Sequence, residues 1–418
     1  MSEVKIDEET QEKLEEKREE LFEEYEIHEE FPDRALEEAD EITTGFRDDI
    51  QDEAEKEYRT DLRDLTTFTV DPKRAQDFDD AISIDDEGDG EGYTLWVHIA
   101  DVTHYVKPGT ELYEEAKRRS TTVYLPGHTV HMLPSSLSET VCSIVGNEDR
   151  LAHTVRMEMD EDLSFDNIEI FKSVVRSDRR LTYRQAERIL DEGHEAVDGV
   201  TQELGEKVDM AHDVADRLHE SRKEQGSLVL NPKRDRAHTI VEECMLKANR
   251  AVTYELMWDR GVEAVYRVHP QPSEDKWAEA LQEIQDLDGV SIPAEHWDEP
   301  RIAVNAAIED ADEDALRKIQ RAVLKVMPRA KYMSDPFGGH YALNFDIYGH
   351  FTSPIRRIAD LMNHLIVHEG EIPEDVAQMA DKASERQRMA EACERDYKKY
   401  LEELGYDPHE VEEYKMED

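Results

Sequence analysis

Cysteine is nearly missing: Cys142, Cys244 and Cys393 are the three in 418 residues, and they lie far apart. That excludes a disulfide framework and any Cys-x-x-Cys metal site, and it predicts buried thiols in a reducing compartment. No apolar run approaches the roughly 18 residues needed to span a bilayer. The opening stretch, MSEVKIDEETQEKLEEKREE, carries no hydrophobic signal segment. A soluble, cytoplasmic chain without membrane contact is expected. Neither Gly-x-Ser-x-Gly nor His-Glu-x-x-His occurs, so the commonest serine- and zinc-hydrolase signatures are absent. Internal repeats and low-complexity linkers are also missing.

Positive charge is scarce too. Lys and Arg number 51 against 102 Asp and Glu, a net charge of −51. Such a chain repels itself and any polyanion in dilute salt. At molar salt the Debye length falls to about 3 Å and most of that repulsion is screened. A salt-rich cytosol, as in an extreme halophile, is the expected setting. The charge is uneven. Residues 1–60 hold 25 acidic and 8 basic side chains, whereas 171–190 hold six basic (Lys172, Arg176, Arg179, Arg180, Arg184, Arg188) and two acidic. Residues 321–331 hold four basic and no acidic side chains. Basic islands in an acidic chain suit phosphates; pairing with acidic neighbours suits them equally.

Along the chain, 7–30 reads as an exposed helix with Leu14, Leu21, Phe22 and Tyr25 near helical spacing. Phe31-Pro32 breaks it, and a second helix covers about 33–58. Short β-rich runs follow at Phe68–Val70, Ala81–Ile84 and Tyr93–Ala100, the last two separated by the turn-forming DDEGDGEG. Extended segments at 121–130, 151–159 and 168–175 flank and follow a short helix at 111–119. Helices then dominate to the end, the last at about 373–404. Strands followed by helices predict one large α+β core with helical flanks.

Four carboxylates, Asp71, Asp77, Asp79 and Asp80, crowd the loop feeding the 81–84 strand. Two like charges about 4 Å apart cost roughly 4 kcal/mol at an effective dielectric of 20. The cluster is therefore either a solvated acidic loop or a site for a hard divalent cation, Mg2+ or Mn2+ by its oxygen-only donors. The next segment is not an EF-hand, because Trp96 stands where a bidentate Glu is needed.

The aspartates belong to an ordered set. Arg63-Asp64-Leu65 precedes them, and Trp96-Val-His98-Ile-Ala-Asp101-Val-Thr-His104-Tyr-Val106 follows. Then come Tyr124-Leu-Pro-Gly127, Met132-Leu-Pro134, Ile240-Val-Glu242-Glu243-Cys244-Met-Leu-Lys-Ala-Asn249, Tyr266-Arg-Val-His269 and His350-Phe-Thr-Ser-Pro-Ile-Arg356-Arg357. In this order and spacing the chain resembles the ribonuclease II/ribonuclease R (RNB) family of exoribonucleases over about 60–370. The resemblance implies the RNB catalytic fold, a mixed and mostly antiparallel sheet packed with helices. It divides the chain into an acidic helical arm at 1–58, a catalytic domain at 59–370 and a C-terminal helical extension at 371–418.

It further implies that Asp71, Asp77, Asp79 and Asp80 bind two Mg2+ ions (or Mn2+) and that Arg356 contacts the scissile phosphate, with Arg357 beside it. Tyr124 and Tyr183 match stacking positions for RNA bases, although either could be a core aromatic. Glu242 or Glu243, with Glu243 favoured, lies near the terminal nucleotide. His104 and His269 fall in family motifs but read as structural. The implied activity is 3′→5′ hydrolysis of single-stranded RNA to nucleoside 5′-monophosphates. The cold-shock and S1 modules of bacterial members have no counterpart in these residues. A core-only form is expected, with separate RNA-binding or RNA-decay partners supplying grip. The rival on the same fold is a catalytically silent RNA-binding protein; retention of all four aspartates argues against it.

Overall fold

The computed structural model describes residues 6–408 except 87, 89–91, 233, 310, 371 and 373, together with 411. Among the described residues the strands are β1 (Arg59–Asp61), β2 (Phe68–Asp71), β3 (Asp80–Asp86), β4 (Tyr93–Ala100), β5 (Val123–Leu125), β6 (His128–Val130), β7 (Asp149–Met159), β8 (Phe165–Arg176), β9 (Arg179–Thr182), β10 (Tyr266–Val268) and β11 (Lys331–Met333). The helices are α1 (Glu8–Glu24), α2 (Asp33–Ala54), α3 (Glu111–Arg119), α4 (Tyr183–Glu192), α5 (Gln202–Glu224), α6 (Arg236–Tyr254), α7 (Glu274–Gln285), α8 (Pro300–Glu309), α9 (Glu313–Val326), α10 (Ile358–Glu369) and α11 (Val376–Glu403).

Seven strands form one sheet in the order β1-β8-β7-β4-β3-β2-β9. The pairs β8-β7, β7-β4, β4-β3 and β3-β2 are antiparallel; β1-β8 and β2-β9 are parallel. The expected α+β fold with a mixed, mostly antiparallel sheet is thus observed. β-branched and aromatic side chains such as Ile82, Ile84, Val97, Ile99 and Val155 are fully buried in the central strands. Helices α5 and α6 pack on each other and against β3, β4 and β7, while α2 packs on β7 and β8.

Three satellite clusters flank this core, the smallest being Leu246, Phe345 and Tyr348. One joins α7, α8 and α9 around Trp277, Leu281, Val304 and Ile319. Another joins Leu14, Leu21 and Phe22 of α1 to Cys393, Tyr397 and Leu401 of α11 and to Val123, Leu125 and Val130 of the β5-β6 hairpin. Helix α1 is therefore a seated helix and not the exposed arm its composition predicts. Its few apolar residues fall on one stripe, which is enough to dock it while the acidic residues face water. All three cysteines are free and buried, and no helix among the described residues is long and apolar enough to cross a membrane.

Candidate active site

Asp71 ends β2 and Asp80 begins β3, so the intervening loop must return the chain across the end of the sheet. Four hydrogen bonds hold it: Phe78 N–H donates to Ser143 Oγ (3.0 Å), Ser143 Oγ to the Gln76 carbonyl (2.6 Å), Ile144 N–H to the Phe78 carbonyl (3.0 Å) and Ala100 N–H to the Asp79 carbonyl (2.9 Å). Asp79 is thereby carried inside, 4% exposed.

The other wall comes from the turn before α10. Ile355 N–H donates to Asp79 Oδ1 at 2.8 Å, and Arg356 Nε to Asp79 Oδ2 at 3.3 Å, across 277 positions of sequence. Arg356 Nη2 also donates to Ser353 Oγ at 2.9 Å, yet 42% of its side chain stays exposed. The guanidinium is thus oriented without being sealed off. Its turn is pinned from several directions. Phe351 N–H donates to Asn249 Oδ1 (2.7 Å), Asn363 Nδ2 to the His350 carbonyl (2.8 Å), and Thr122 N–H to the Arg356 carbonyl (3.1 Å).

The carboxylates are strained electrostatically. Burial, then Asp80 and Asp77, pushes Asp71 up to about 7. Burial pushes Asp80 up to about 6 although Arg356 and Arg357 oppose it, and it holds Asp79 well above the ordinary carboxylate range despite Arg356. The Asp71 Oδ2 atom is buried with no hydrogen-bond partner. An orphaned carboxylate oxygen beside other acids fits a hard cation, which would remove both penalties. Among the described residues, however, no three His, Cys, Asp or Glu side chains close into a ready ligating group. The reason is visible in the partners. Asp77 Oδ2 accepts from the Tyr124 hydroxyl (3.0 Å), and Asp79 is taken by Ile355 and Arg356. The donors fit in chemistry, but the side chains of Asp77 and Asp79 are held by neighbouring donors.

The two tyrosines reach this site by different routes. Tyr124 sits in β5 with 37% exposure, on a hairpin whose turn uses Pro126 and the positive φ of Gly127 (79°). Tyr183 follows Thr182, which pairs with Asp71 in the sheet register, so the register itself sets the ring beside the aspartates. One face of that ring stacks on His238, 3.7 Å between centroids and 5° from parallel.

Glu243 and Arg357 are each engaged by protein partners. Glu243 is 3% exposed and turned onto His219 Nδ1 (3.0 Å) and the Arg222 guanidinium. Arg357 is clamped in a bidentate pair with Asp360, Nε to Oδ2 at 2.8 Å and Nη2 to Oδ1 at 2.6 Å. Both charges are paired within the protein, as buried charges generally are. Glu242 is engaged by Arg234 and Arg222. His104 and His269 are structural as read: His104 Nε2 meets Asp49 Oδ2 at 2.7 Å and His269 Nε2 the Pro328 carbonyl at 2.9 Å.

Sequence reading missed Asp360, which also accepts from Ser353 N–H at 2.8 Å and so fixes the turn that aims Arg356. Its spacing of three from Arg357 at a helix start was the available signal.

A buried acid nest at a sheet end, faced by an arginine from a distant turn, defines a family here: the chain belongs to the RNB domain family, whose model matches residues 59–371. Ribonuclease R of Aquifex aeolicus is 33% identical over 410 residues, spanning 91% of this chain and 57% of its own length. Ribonuclease R of Escherichia coli K12 is 30% identical over 396 residues, 85% of this chain and 48% of its own. The chain spans about half the length of these curated relatives. The solved structure of Mycoplasma genitalium RNase R in complex with ribose methylated single-stranded RNA matches with a TM-score of 0.82 at 25% identity, over 93% of this chain and 64% of that one. Yeast Ssd1, a pseudonuclease, shares the fold at a TM-score of 0.69 and 23% identity, over 82% of this chain and 44% of that one.

Proposed function

We propose that this chain is a hydrolytic exoribonuclease that shortens single-stranded RNA from its 3′ end and releases nucleoside 5′-monophosphates, with Mg2+ or Mn2+ as cofactor. The observation that carries this reading is the meeting of buried Asp79 with half-exposed Arg356 inside an RNB fold. Two dications held by Asp71, Asp77, Asp79 and Asp80 would supply an ionised water and neutralise the departing 3′-oxygen.

The protein's own part is positioning and charge. Arg356 makes no hydrogen bond through Nη1 among the described residues, so it can meet the negative charge that the phosphoryl oxygens would carry as water adds. Ser353 and Asp79 hold its plane, which saves reorganisation during the step. Tyr124, and the part of Tyr183 not covered by His238 and the core, would offer stacking surfaces worth about 1–3 kcal/mol per base without regard to sequence. The exposed Arg184, the residue directly after Tyr183 and without an ion pair among the described residues, adds phosphate attraction.

The test is a 5′-labelled single-stranded RNA incubated with Mg2+ in high salt. Release of mononucleotides from the wild type, lost in Asp79→Asn while RNA binding persists, is expected. An Asp79→Asn protein that still trims RNA normally, or products of random length, would overturn the reading. The net charge of −51 supports a salt-rich cytoplasm as the working medium. Unfolding midpoints should accordingly rise between 0.1 and 3 M KCl, and a flat profile would remove that part.

A further inference from the structure

Tyr124 is held at both ends. Its hydroxyl donates to Asp77 Oδ2 at 3.0 Å, and its backbone N–H donates to Glu394 Oε1 at 2.8 Å. Glu394 belongs to α11, beyond residues 59–371 that match the RNB family. Strands of three residues such as β5 and β6 do not hold a hairpin in place by themselves. This one is anchored on its inner side, where Val123, Leu125 and Val130 enter the cluster built by α1 and α11. Alternation then turns Tyr124 outward between buried Val123 and Leu125. The apolar side sets the hairpin's depth. A carboxylate accepting the Tyr124 amide sets its position along α11, and such charge-assisted bonds are short and about twice as strong as neutral ones.

We propose that Glu394 is a positioning residue for RNA: from the seam of α1 and α11 it fixes Tyr124 over the acidic loop, so that helices outside the family-matched core complete the nucleotide site. This rests on the reading of the site as an RNA site. The amide bond and the stacking ring are two ends of one residue, so losing the first loosens the second, and among the four aspartates the loosened residue is bonded to Asp77 alone.

The experiment compares wild type, Glu394→Ala, Glu394→Gln and a control, Glu391→Ala, on the same helix and bonded only to Gln387 among the described residues. Three quantities are read: the Kd of a single-stranded RNA in EDTA, KM and kcat with Mg2+, and amide hydrogen exchange over 121–131. For Glu394→Ala, Kd and KM are expected to rise about tenfold, equivalent to about 1.4 kcal/mol, with kcat within about twofold and faster exchange over 121–131. Glu394→Gln, which keeps an acceptor oxygen, should restore most of each, and Glu391→Ala should match wild type. Unchanged Kd in Glu394→Ala, or failure of Glu394→Gln to rescue, overturns the proposal. A wild type that binds RNA without cleaving it refutes the nuclease reading alone, since Kd and exchange still decide the role of Glu394.

Discussion

Two buried aspartates stand at the same end of the sheet and are treated in opposite ways. Asp79 precedes β3, and its carbonyl accepts from Ala100 N–H (2.9 Å); Asp101 follows β4 directly. Cys142 lies close enough to be pushed up by burial and then by both carboxylates. Asp101 is saturated. Arg59 Nη2 donates to Oδ2 (2.7 Å), while His153 Nε2 (2.8 Å), Thr103 Oγ1 (2.7 Å) and His104 N–H (3.1 Å) surround Oδ1. Burial would raise its pKa, but His153, Lys172 and Arg59 more than reverse this and hold it well below the ordinary range. Asp79 has one backbone donor and one long arginine contact, and burial wins. Equal burial with unequal pairing separates a carboxylate that holds the fold from one left under-paired, as the proposed chemistry requires.

The comparison breaks most sharply by mutation. Asp79→Asn should lower turnover about ten-thousandfold, with a melting temperature in EDTA equal to or above wild type, since a poorly compensated charge is removed. A melting temperature that drops by many degrees would make Asp79 structural after all. Next, Arg356→Lys should cost about a hundredfold or more in kcat with little change in stability, because a lysine cannot reproduce the oriented planar fork. Its neighbour inverts the pattern. Arg357→Ala leaves Asp360 buried and poorly paired and should cost about 3–5 kcal/mol in urea unfolding. Asp101→Ala leaves Arg59, whose side chain is fully buried, with Glu53 as its remaining carboxylate and removes the acceptor of buried His153, and should cost a similar ~3–5 kcal/mol. The folded fraction of that variant should keep wild-type KM for RNA, and a selective loss of turnover at full stability would erase the distinction.

Much of this was legible before any coordinates. The alternation at 81–84 and 93–100, the short helix at 111–119, the four aspartates and Arg356 are local patterns, and the structure brings Arg356 to the aspartates at one sheet end. Parallel strands β1 and β9 were not legible. They are three and four residues long, and their partners lie far away in sequence, Arg59 with Lys172 and Phe68 with Arg179, so nothing local announces them. The same strands changed the meaning of the basic segment. Arg176 is spent on Asp149 (2.6 Å), Arg179 on the Asp198 carbonyl (3.0 Å) and Lys172 on Asp101 (3.6 Å). Composition locates charge, but pairing decides which cations remain for a ligand.

The gentlest test of the comparison is pH, where a paired core has a definite sign. Burial pushes His98 down to about 3 and His364 to about 3, and it pushes His153 down to about 4 against the pull of Asp101. All three are fully buried and neutral at pH 7. In the unfolded chain each binds its proton near pH 6.5. The folded pKa values are depressed, so the stability these groups contribute is complete above about 6.5 and is lost as pH falls towards 4 and 3, by about 1.4 kcal/mol per histidine per pH unit. Asp101, also depressed, adds a loss of the same sign only below about pH 4. Urea midpoints in 3 M KCl should therefore fall between pH 7.5 and pH 5, and His98→Gln, which removes one such group from contact with Ser83 and Thr154 (3.1 and 2.9 Å), should flatten the slope by one histidine's share. A midpoint that holds or rises at pH 5 would mean that these rings are already protonated in the fold, with His153 a cation paired to Asp101, and that burial does not decide their charge.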